Sequence, residues 1–94
     1  MHWAVEILNA AVDAEIEALP KDMRARLSRL GSIIEQVGFT GLPHDSVKHL
    51  EDKLWELRIT GRDGISRAIY VTATGRRVVI VRVFMKKPGT DAGH

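Results

Sequence analysis

The sequence predicts an α+β fold in the order β-α-α-β-β-β, with a helical hairpin packed on one face of an antiparallel sheet. Two observations support this fold class. An apolar stripe with spacings of four and three residues runs through residues 20–37, which is typical of an amphipathic helix. From residue 53 onwards the pattern changes to strands with alternating faces, joined by short turns. A chain of 94 residues has room for one such domain.

The N-terminal half is predicted to be a strand followed by two helices. Residues 3–8 are typical of a short strand, and Asn9 is a suitable N-cap for a helix over residues 10–19. Pro20 ends this helix and opens the next one, which continues to a stop at Gly38. The stripe on the second helix is expected to be buried against the sheet, and it consists of Met23, Leu27, Leu30, Ile34 and Val37.

The C-terminal half is predicted to be a loop followed by an antiparallel meander of three strands. Residues 39–47 contain glycine, proline, aspartate and serine, which is typical of a loop. The strands are predicted over three segments, 53–59, 66–73 and 76–87. Pro88 ends the last strand. We therefore expect a single domain over residues 1–87 and a short C-terminal tail over residues 88–94.

The alternation within the strands predicts which side chains face the helices. The first strand of the meander has one apolar face, made of Trp55, Leu57 and Ile59. One face of the last strand is entirely apolar and is expected to meet the helices; it consists of Val79, Val81, Val83 and Met85. The opposite face is left open and carries Val78, Ile80, Arg82, Phe84 and Lys86. The pattern leaves the face of Arg67 undetermined.

Charge is distributed unevenly along the chain. Residues 1–47 have four basic and seven acidic side chains, a net charge of −3, whereas residues 48–87 have ten basic and four acidic ones, a net charge of +6. Such a density of positive charge favours a polyanionic partner such as nucleic acid. Lysine and arginine also serve to solubilise a sheet edge, so charge alone leaves both interpretations open.

Several kinds of chemistry are excluded by composition. The chain has no cysteine, which excludes disulfides, iron–sulfur clusters and cysteine nucleophiles. His44 and His49 are five residues apart, which is not a recognised spacing of metal ligands, so neither a metal nor another cofactor is expected. The longest apolar run, residues 78–81, is too short to span a bilayer. We expect no membrane association and a cytoplasmic location.

Basic and aromatic residues of the C-terminal half are expected to form an RNA-binding groove on the open sheet face. Arginine forks match phosphate oxygens, and aromatic rings stack on unpaired bases. Arg82 and Lys86 are four residues apart on one strand, and the neighbouring strand is able to bring Arg67 beside them. The candidate RNA-binding residues around them are Lys53, Arg58, Arg62, Tyr70, Arg76, Arg77 and Phe84. Structural roles stay open for some of them, since Arg67 is also able to pair with Glu56 and Tyr70 to belong to the core.

Short motifs in the C-terminal half carry a family resemblance. They are Leu-Trp-Glu-Leu-Arg at 54–58, Gly-Arg-Asp-Gly at 61–64, Arg67 with Tyr70, Gly-Arg-Arg-Val-Val at 75–79, and the ending Phe84, Lys86 and Lys87. In these motifs the chain resembles the RelE/HigB superfamily of bacterial toxins from toxin–antitoxin pairs, particularly its phage-derived HigB-like branch. The resemblance extends over residues 3–87. It implies a RelE-like fold and a ribosome-dependent mRNA endoribonuclease that uses no metal.

The resemblance also implies a mechanism and partners. In such enzymes the ribose 2′-OH attacks the adjacent phosphorus, and basic side chains stabilise the negatively charged transition state. Arg67 resembles the strand arginine that family members direct at the scissile phosphate, and Lys86 and Lys87 resemble the basic pair that closes the last strand. Arg82 is the fourth catalytic candidate. The implied partners are mRNA on the ribosome and a cognate antitoxin, expected to be a helix-turn-helix protein.

The sequence differs from the family pattern at three places. Glu56 occupies a position where the best-studied RelE-type enzymes carry a lysine, and Arg82 one where many HigB-like members carry a histidine. The usual C-terminal helix is replaced by the tail of residues 88–94. Two alternative functions therefore remain. One is a ParE-like toxin that inhibits a topoisomerase by binding it, and the other is an inactive phage-derived relative.

Overall fold

The computed structural model describes residues 2–86, with a helical layer packed on one face of a sheet. Met1, Lys87 and the predicted tail of residues 88–94 lie outside the described residues, as do the side chains of His44 and Lys86. The main elements are β1 (Ala4–Ile7), α1 (Ala10–Glu17), α2 (Lys21–Val37), β2 (Val47–Glu51), β3 (Leu54–Gly61), β4 (Gly64–Ala73) and β5 (Arg77–Lys86). Two short 3-10 turns, Gly38–Gly41 and His44–Ser46, connect α2 to β2. The predicted α+β class and the helical hairpin are confirmed.

Within the described residues the sheet has five strands in the order β1-β5-β4-β3-β2. Strands β2 to β5 form an antiparallel meander, which agrees with the prediction. At the other edge, however, β1 pairs with residues 77–80 of β5 in the parallel direction. The antiparallel sheet predicted from the sequence is thus confirmed for the meander, and the parallel edge adds to it, because strand direction depends on which strands become neighbours and not on their local sequence.

Strand β2 is an additional strand that the sequence pattern did not predict. Four of its five residues are exposed, and only Val47, which pairs with Leu57, is half-buried. β2 lies at the sheet edge and pairs on one side only. An exposed edge strand with Lys48, His49 and Glu51 lacks the apolar alternation by which strands are recognised. The observed order is consequently β-α-α-β-β-β-β.

Three of the four helix ends lie where the capping residues predict them, whereas α1 ends at Glu17, two residues before its predicted end. Asn9 Oδ1 accepts a hydrogen bond from the Val12 N–H at 3.0 Å, which is the N-cap arrangement. Helix α2 begins directly after Pro20 and ends at Gly38. Gly38 has a φ of +78°, a conformation that favours glycine, and the Trp3 indole packs where a side chain at this position would lie.

The core lies between α2 and the sheet. The helix contributes Met23, Leu27, Leu30 and Ile34, and the strands contribute Leu57, Ile59, Ala68, Tyr70, Val78, Ile80 and Val83. The Tyr70 ring stacks between two other rings, with centroid distances of 5.4 Å to Phe39 and 6.5 Å to Trp55. The predicted stripe is confirmed except for Val37, which is 60% exposed. Val37 is the last residue of α2, and its side chain lies over the 3-10 turn at Gly41.

A β-bulge interrupts β5 in its middle. Ile69 of β4 pairs with Arg82, but the next residue, Tyr70, pairs with Ile80. Val81 is therefore the extra residue on the bulged strand. Because one residue is inserted, the alternation of faces along β5 shifts by one position at this point.

The bulge changes which residues of β5 face the helices. The helix-facing residues are Val78 and Ile80 before the bulge and Val83 and Met85 after it. The prediction that Val79 and Val81 face the helices is therefore wrong, whereas it is confirmed for the second half of the strand. An uninterrupted alternation cannot describe both halves of this strand.

Leu30 lies at the centre of the helical stripe and is buried. We expect Leu30→Ala to lower the free energy of unfolding by about 2–5 kcal/mol, because the surrounding core collapses only partly into the cavity. Urea denaturation followed by circular dichroism measures this change. Gln36→Ala on the exposed side of the same helix is the control, with an expected change below about 0.5 kcal/mol. Equal effects of the two substitutions would contradict the packing described here.

Tyr70 is the only tyrosine of the chain and is 2% exposed. Burial raises the pKa of its phenol above the usual value of about 10. A group with a raised folded pKa contributes stability that is complete below the unfolded pKa and is lost as the pH rises further. We expect no phenolate absorbance near pH 10, followed by phenolate formation together with unfolding at higher pH. Ionisation at the usual pH with the fold retained would contradict the burial of this ring.

Candidate nucleic-acid interface

Three arginines and one exposed ring lie on the sheet face opposite the helices. Arg58 of β3, Arg67 of β4 and Phe84 of β5 are register partners in one row, and Arg82 lies in the next row on β5. We call these four residues the open-face cluster. Neighbours within a row are about 5 Å apart and diagonal neighbours about 7–8 Å apart. The four side chains therefore belong to one continuous surface.

Arg67 is held by a buried carboxylate. Its Nη1 atom lies 2.7 Å from Glu56 Oε2, and Glu56 is only 3% exposed. The pairing role that the sequence left open for Arg67 is thus present in the structure. The Nε atom of Arg67 is also buried, and it has no hydrogen-bond partner among the described residues. Because a buried carboxylate requires a counterion, Arg67 contributes to the stability of the sheet as well as to its charge.

Arg82 is held from the helical layer. Glu15 of α1 accepts a hydrogen bond from Arg82 Nε at 3.1 Å through Oε2, and one from the Val83 N–H at 2.7 Å through Oε1. The guanidinium carbon of Arg82 lies 6.0 Å from the centre of the Phe84 ring, at the outer limit of a cation–π contact. The Arg82 side chain is 63% exposed, which leaves much of it accessible to a ligand.

Lys53, Arg76 and Arg77 lie at the opposite end of the sheet from this cluster. Lys53 is in the β2–β3 turn, and Arg76 is in the β4–β5 turn. Arg77 donates to both Glu6 oxygens at 2.9 and 3.0 Å, which raises the pKa of Arg77 and lowers that of Glu6. Seven positions along β5 separate Arg77 from Phe84, or about 20 Å. The structure therefore does not bring these three residues together with the open-face cluster.

Arg62 lies in the β3–β4 turn, which is bound to the start of α2. Its N–H donates to Asp22 Oδ2 at 2.7 Å, and this hydrogen bond is the main cause of a lowered Asp22 pKa. Gly61 allows the close approach, since a Cβ there would lie 2.6 Å from Met23 Cγ. Arg62 and Lys21 line a cleft on the helical side of this turn. Arg62 is thus near the same end of the sheet as Phe84 but belongs to a different surface.

The remaining predicted site residues are placed as follows. Tyr70 lies on the helical side in the core, so its ring is not available for stacking on a base. The backbone of Lys86 pairs with Ile65, in the row next to Phe84, while its side chain lies outside what the structure describes. Lys87 lies wholly outside the described residues.

Glu15 is the residue of this surface that sequence reasoning missed. Glu15 is 67 positions away from Arg82 in the chain, and no local pattern relates the two. For Glu56 the sequence shows a departure from a family position and offers a pairing with Arg67, and the structure contains this pair. One local signal indicates that Glu56 needs an ion-pair partner. It lies between Trp55 and Leu57 in a strand with few exposed positions, and a charged residue in such a place requires a partner.

Two further features of residues 2–86 concern ligands and membranes. Among the described side chains, no group of three histidine, aspartate or glutamate residues is placed to hold a metal ion. No helix in this part of the chain has both the length and the apolar character needed to cross a membrane.

A separate apolar groove opens between α2 and the β1–β5 edge, lined by Val5, Ile7, Leu27, Gly31 and Ile80 among others. This groove lies on the helical side and is distinct from the open face.

The arrangement of helices and strands is that of a known solved structure. A chain of the archaeal RelE–RelB complex from Pyrococcus horikoshii matches with a TM-score of 0.66 and 22% sequence identity. The match covers 94% of this chain and 99% of that chain. At this level of identity the likeness establishes the fold, so the protein is of the RelE-like α+β class.

A family model identifies the protein more closely. The model of phage-derived Gp49-like proteins matches residues 14–91, which is most of the chain, and the chain belongs to this family. A comparison with curated proteins finds no match. The resemblance to the phage-derived branch of the RelE/HigB superfamily, first indicated by the strand motifs, is thereby confirmed.

The Arg67–Glu56 pair predicts unequal effects for two neighbouring arginines. We expect Arg67→Ala to lower the free energy of unfolding by about 3 kcal/mol, because it leaves the buried Glu56 carboxylate without a counterion. Arg58→Ala, in the same row but exposed, is the matched control, with an expected change below about 0.5 kcal/mol. Urea denaturation of both variants measures the difference. A small change in both would rule out the stabilising role of the pair.

Proposed function

We propose that this protein is the toxin of a toxin–antitoxin pair and acts as a metal-independent, ribosome-dependent mRNA endoribonuclease in the cytoplasm. The observation that carries this proposal is the open-face cluster, in which arginines from three adjacent strands lie on the same uncovered sheet face as an exposed ring. Membership of the Gp49-like family and the RelE-like fold support it.

The cluster supplies groups that RNA cleavage by the ribose 2′-OH requires. In the proposed mechanism, Arg67 and Arg82 bind the non-bridging oxygens of the scissile phosphate and stabilise the additional negative charge of the transition state. Arg58 forms no ion pair with any described residue. In the proposed mechanism it binds an adjacent phosphate. Phe84 is 40% exposed and provides a stacking surface for a base. Lys86 and Lys87 follow Phe84 in the chain and are proposed as further phosphate contacts.

The other basic candidates are assigned a peripheral role. Lys53 and Arg76 lie about 20 Å from Phe84, a distance at which exposed charges are largely screened at physiological salt. Arg62 lies on the helical side. We assign these three residues to contacts with more distant phosphates, where they contribute to affinity and not to the chemical step.

An antitoxin is the proposed protein partner. The structure with the same fold is described as a complex of RelE with RelB, and we extend this kind of assembly to the present chain. The partner is expected to be a helix-turn-helix protein. In this proposal the antitoxin neutralises the toxin by blocking access of mRNA to the open-face cluster.

A ParE-like inhibitor of a topoisomerase is the second candidate. The observation that favours it is that Arg67 and Arg82 already form intramolecular ion pairs with Glu56 and Glu15. A protein-binding surface tolerates arginines whose charge is partly neutralised, whereas a catalytic site for RNA depends on it more strongly.

Primer extension on mRNA from cells that express the protein tests the proposal. We expect ribosome-dependent cleavage by the wild type and a loss of about 10²–10³ in cleavage rate for Arg82→Ala, because one preorganised charge contact is removed. Gln36→Ala, on the far side of α2, is the control and should cleave normally. Growth arrest with topoisomerase inhibition and no cleavage would support the ParE-like alternative. If the protein causes no mRNA cleavage, no growth arrest and no topoisomerase inhibition, both candidate functions are overturned.

A further inference from the structure

We propose that Glu15 of α1 is a positioning residue for the open-face cluster, because its carboxylate fixes the β5 bulge and orients the Arg82 guanidinium towards RNA. The structural part of this inference depends only on the contacts of Glu15. Its consequence for RNA binding rests on the proposed function. Glu15 lies in the acidic N-terminal half of the chain, outside the segment that carries the positive charge.

Glu15 occupies the edge of β5 at the place where β1 ends. The last main-chain bond between β1 and β5 is donated by the Leu8 N–H to the Ile80 carbonyl at 3.0 Å. Beyond Ile80, strand β5 continues to Lys86 without β1 beside it. There Glu15 Oε1 accepts the Val83 N–H at 2.7 Å, so a carboxylate takes the place of the missing strand. Without it, this part-buried N–H would have no partner among the described residues.

The same hydrogen bond holds the strand in register after the bulge. Val81 is the inserted residue, and Val83 is the first residue after it that returns to the core. Fixing the Val83 N–H to α1 selects the register in which Arg82 and Phe84 lie on the open face. A shift by one residue would exchange the two faces and turn Arg82 towards the core.

The second carboxylate oxygen acts on the side chain of Arg82. Glu15 Oε2 accepts from Nε at 3.1 Å, which fixes the guanidinium at the end nearest the chain. The two terminal nitrogens of Arg82 form no hydrogen bond with any described residue. They are the part of the planar fork that matches two phosphate oxygens. An arginine anchored at Nε loses less conformational freedom on binding than an unrestrained one, so its complex with phosphate is more stable.

If Glu15 acts only through its negative charge, its loss affects RNA binding in the opposite direction from the effect expected if it positions Arg82. A negative group near a surface that binds a polyanion opposes binding, so its neutralisation should by charge alone strengthen RNA binding. If Glu15 positions Arg82, its neutralisation should instead weaken binding. Glu17 provides a matched control, because it lies on the same helix, carries the same charge and pairs with Arg24 at 3.4 Å.

Binding of a short single-stranded RNA oligonucleotide, measured by fluorescence anisotropy, distinguishes the two effects. We expect Glu15→Gln to weaken binding about three- to tenfold, although it removes a negative charge. Glu17→Gln should bind as the wild type does or more tightly. In the Arg82→Ala background, Glu15→Gln should cause no further loss, since the two residues act as a unit. Equal or tighter binding by Glu15→Gln in the wild-type background would overturn the inference.

Hydrogen exchange at the Val83 amide tests the structural part without RNA. This amide should be protected in the wild type and in Glu15→Gln, which retains an acceptor oxygen, but exposed to exchange in Glu15→Ala. Unchanged protection of the β3 amides shows that the variants remain folded. Protection of Val83 in Glu15→Ala would overturn the role of Glu15 at the bulge.

The two measurements separate this inference from the proposed function. If the wild type does not bind the oligonucleotide, the role of Glu15 towards RNA fails, and exchange at Val83 decides the structural role alone. The proposed ribosome-dependent cleavage is decided separately, by primer extension. If Arg82→Ala weakens RNA binding while Glu15→Gln does not, the proposed function stands and the positioning role of Glu15 is wrong.

Discussion

The bulge at Val81 is the constraint on which the two faces of this sheet depend. Val78 and Ile80 face the helices, and continued alternation would turn Arg82 and then Phe84 into the core. Burial of an unpaired guanidinium is strongly unfavourable, so a regular strand with this sequence is incompatible with the packing of its first half. One inserted residue removes the conflict, since it returns Val83 to the core and leaves the charge outside. The core and the candidate interface therefore result from the same irregularity.

The open face is a basic surface with carboxylates built into it. Arg58 and Arg67 are directly opposite each other on neighbouring strands, an arrangement that is destabilising for like charges. Glu56 lies two residues before Arg58 on β3, diagonal to Arg67, and its ion pair with Arg67 offsets this repulsion within the sheet. The orientation of at least one arginine in each of β4 and β5 is thus set before any ligand arrives, which is the condition for preorganised recognition of phosphate.

The positive charge of residues 48–87 does not converge on one groove. The meander places the cluster with Phe84 at one end of the sheet and Lys53, Arg76 and Arg77 at the other, while Arg62 is bound through its backbone to α2. Strand turns alternate between the two ends of a meander, so basic residues in successive turns are separated in space even when they are close in sequence. Net charge indicates which class of partner to expect. How many of these charges are able to contact one partner together depends on the distance between the two ends of the sheet.

Elements with local signals are predictable from the sequence. The Asn9 cap, the stop at Gly38 and the stripe from Met23 to Ile34 define the helices, because caps and a period of 3.6 residues act over a few neighbouring positions. Alternation in β3 correctly placed Leu57 and Ile59 in the core for the same reason. Four features required the three-dimensional structure: the parallel pairing of β1, the edge strand β2, the bulge in β5 and the contacts of Glu15. These depend on which strands become neighbours and in which register, and pairing partners distant in the chain leave no periodic trace in either segment.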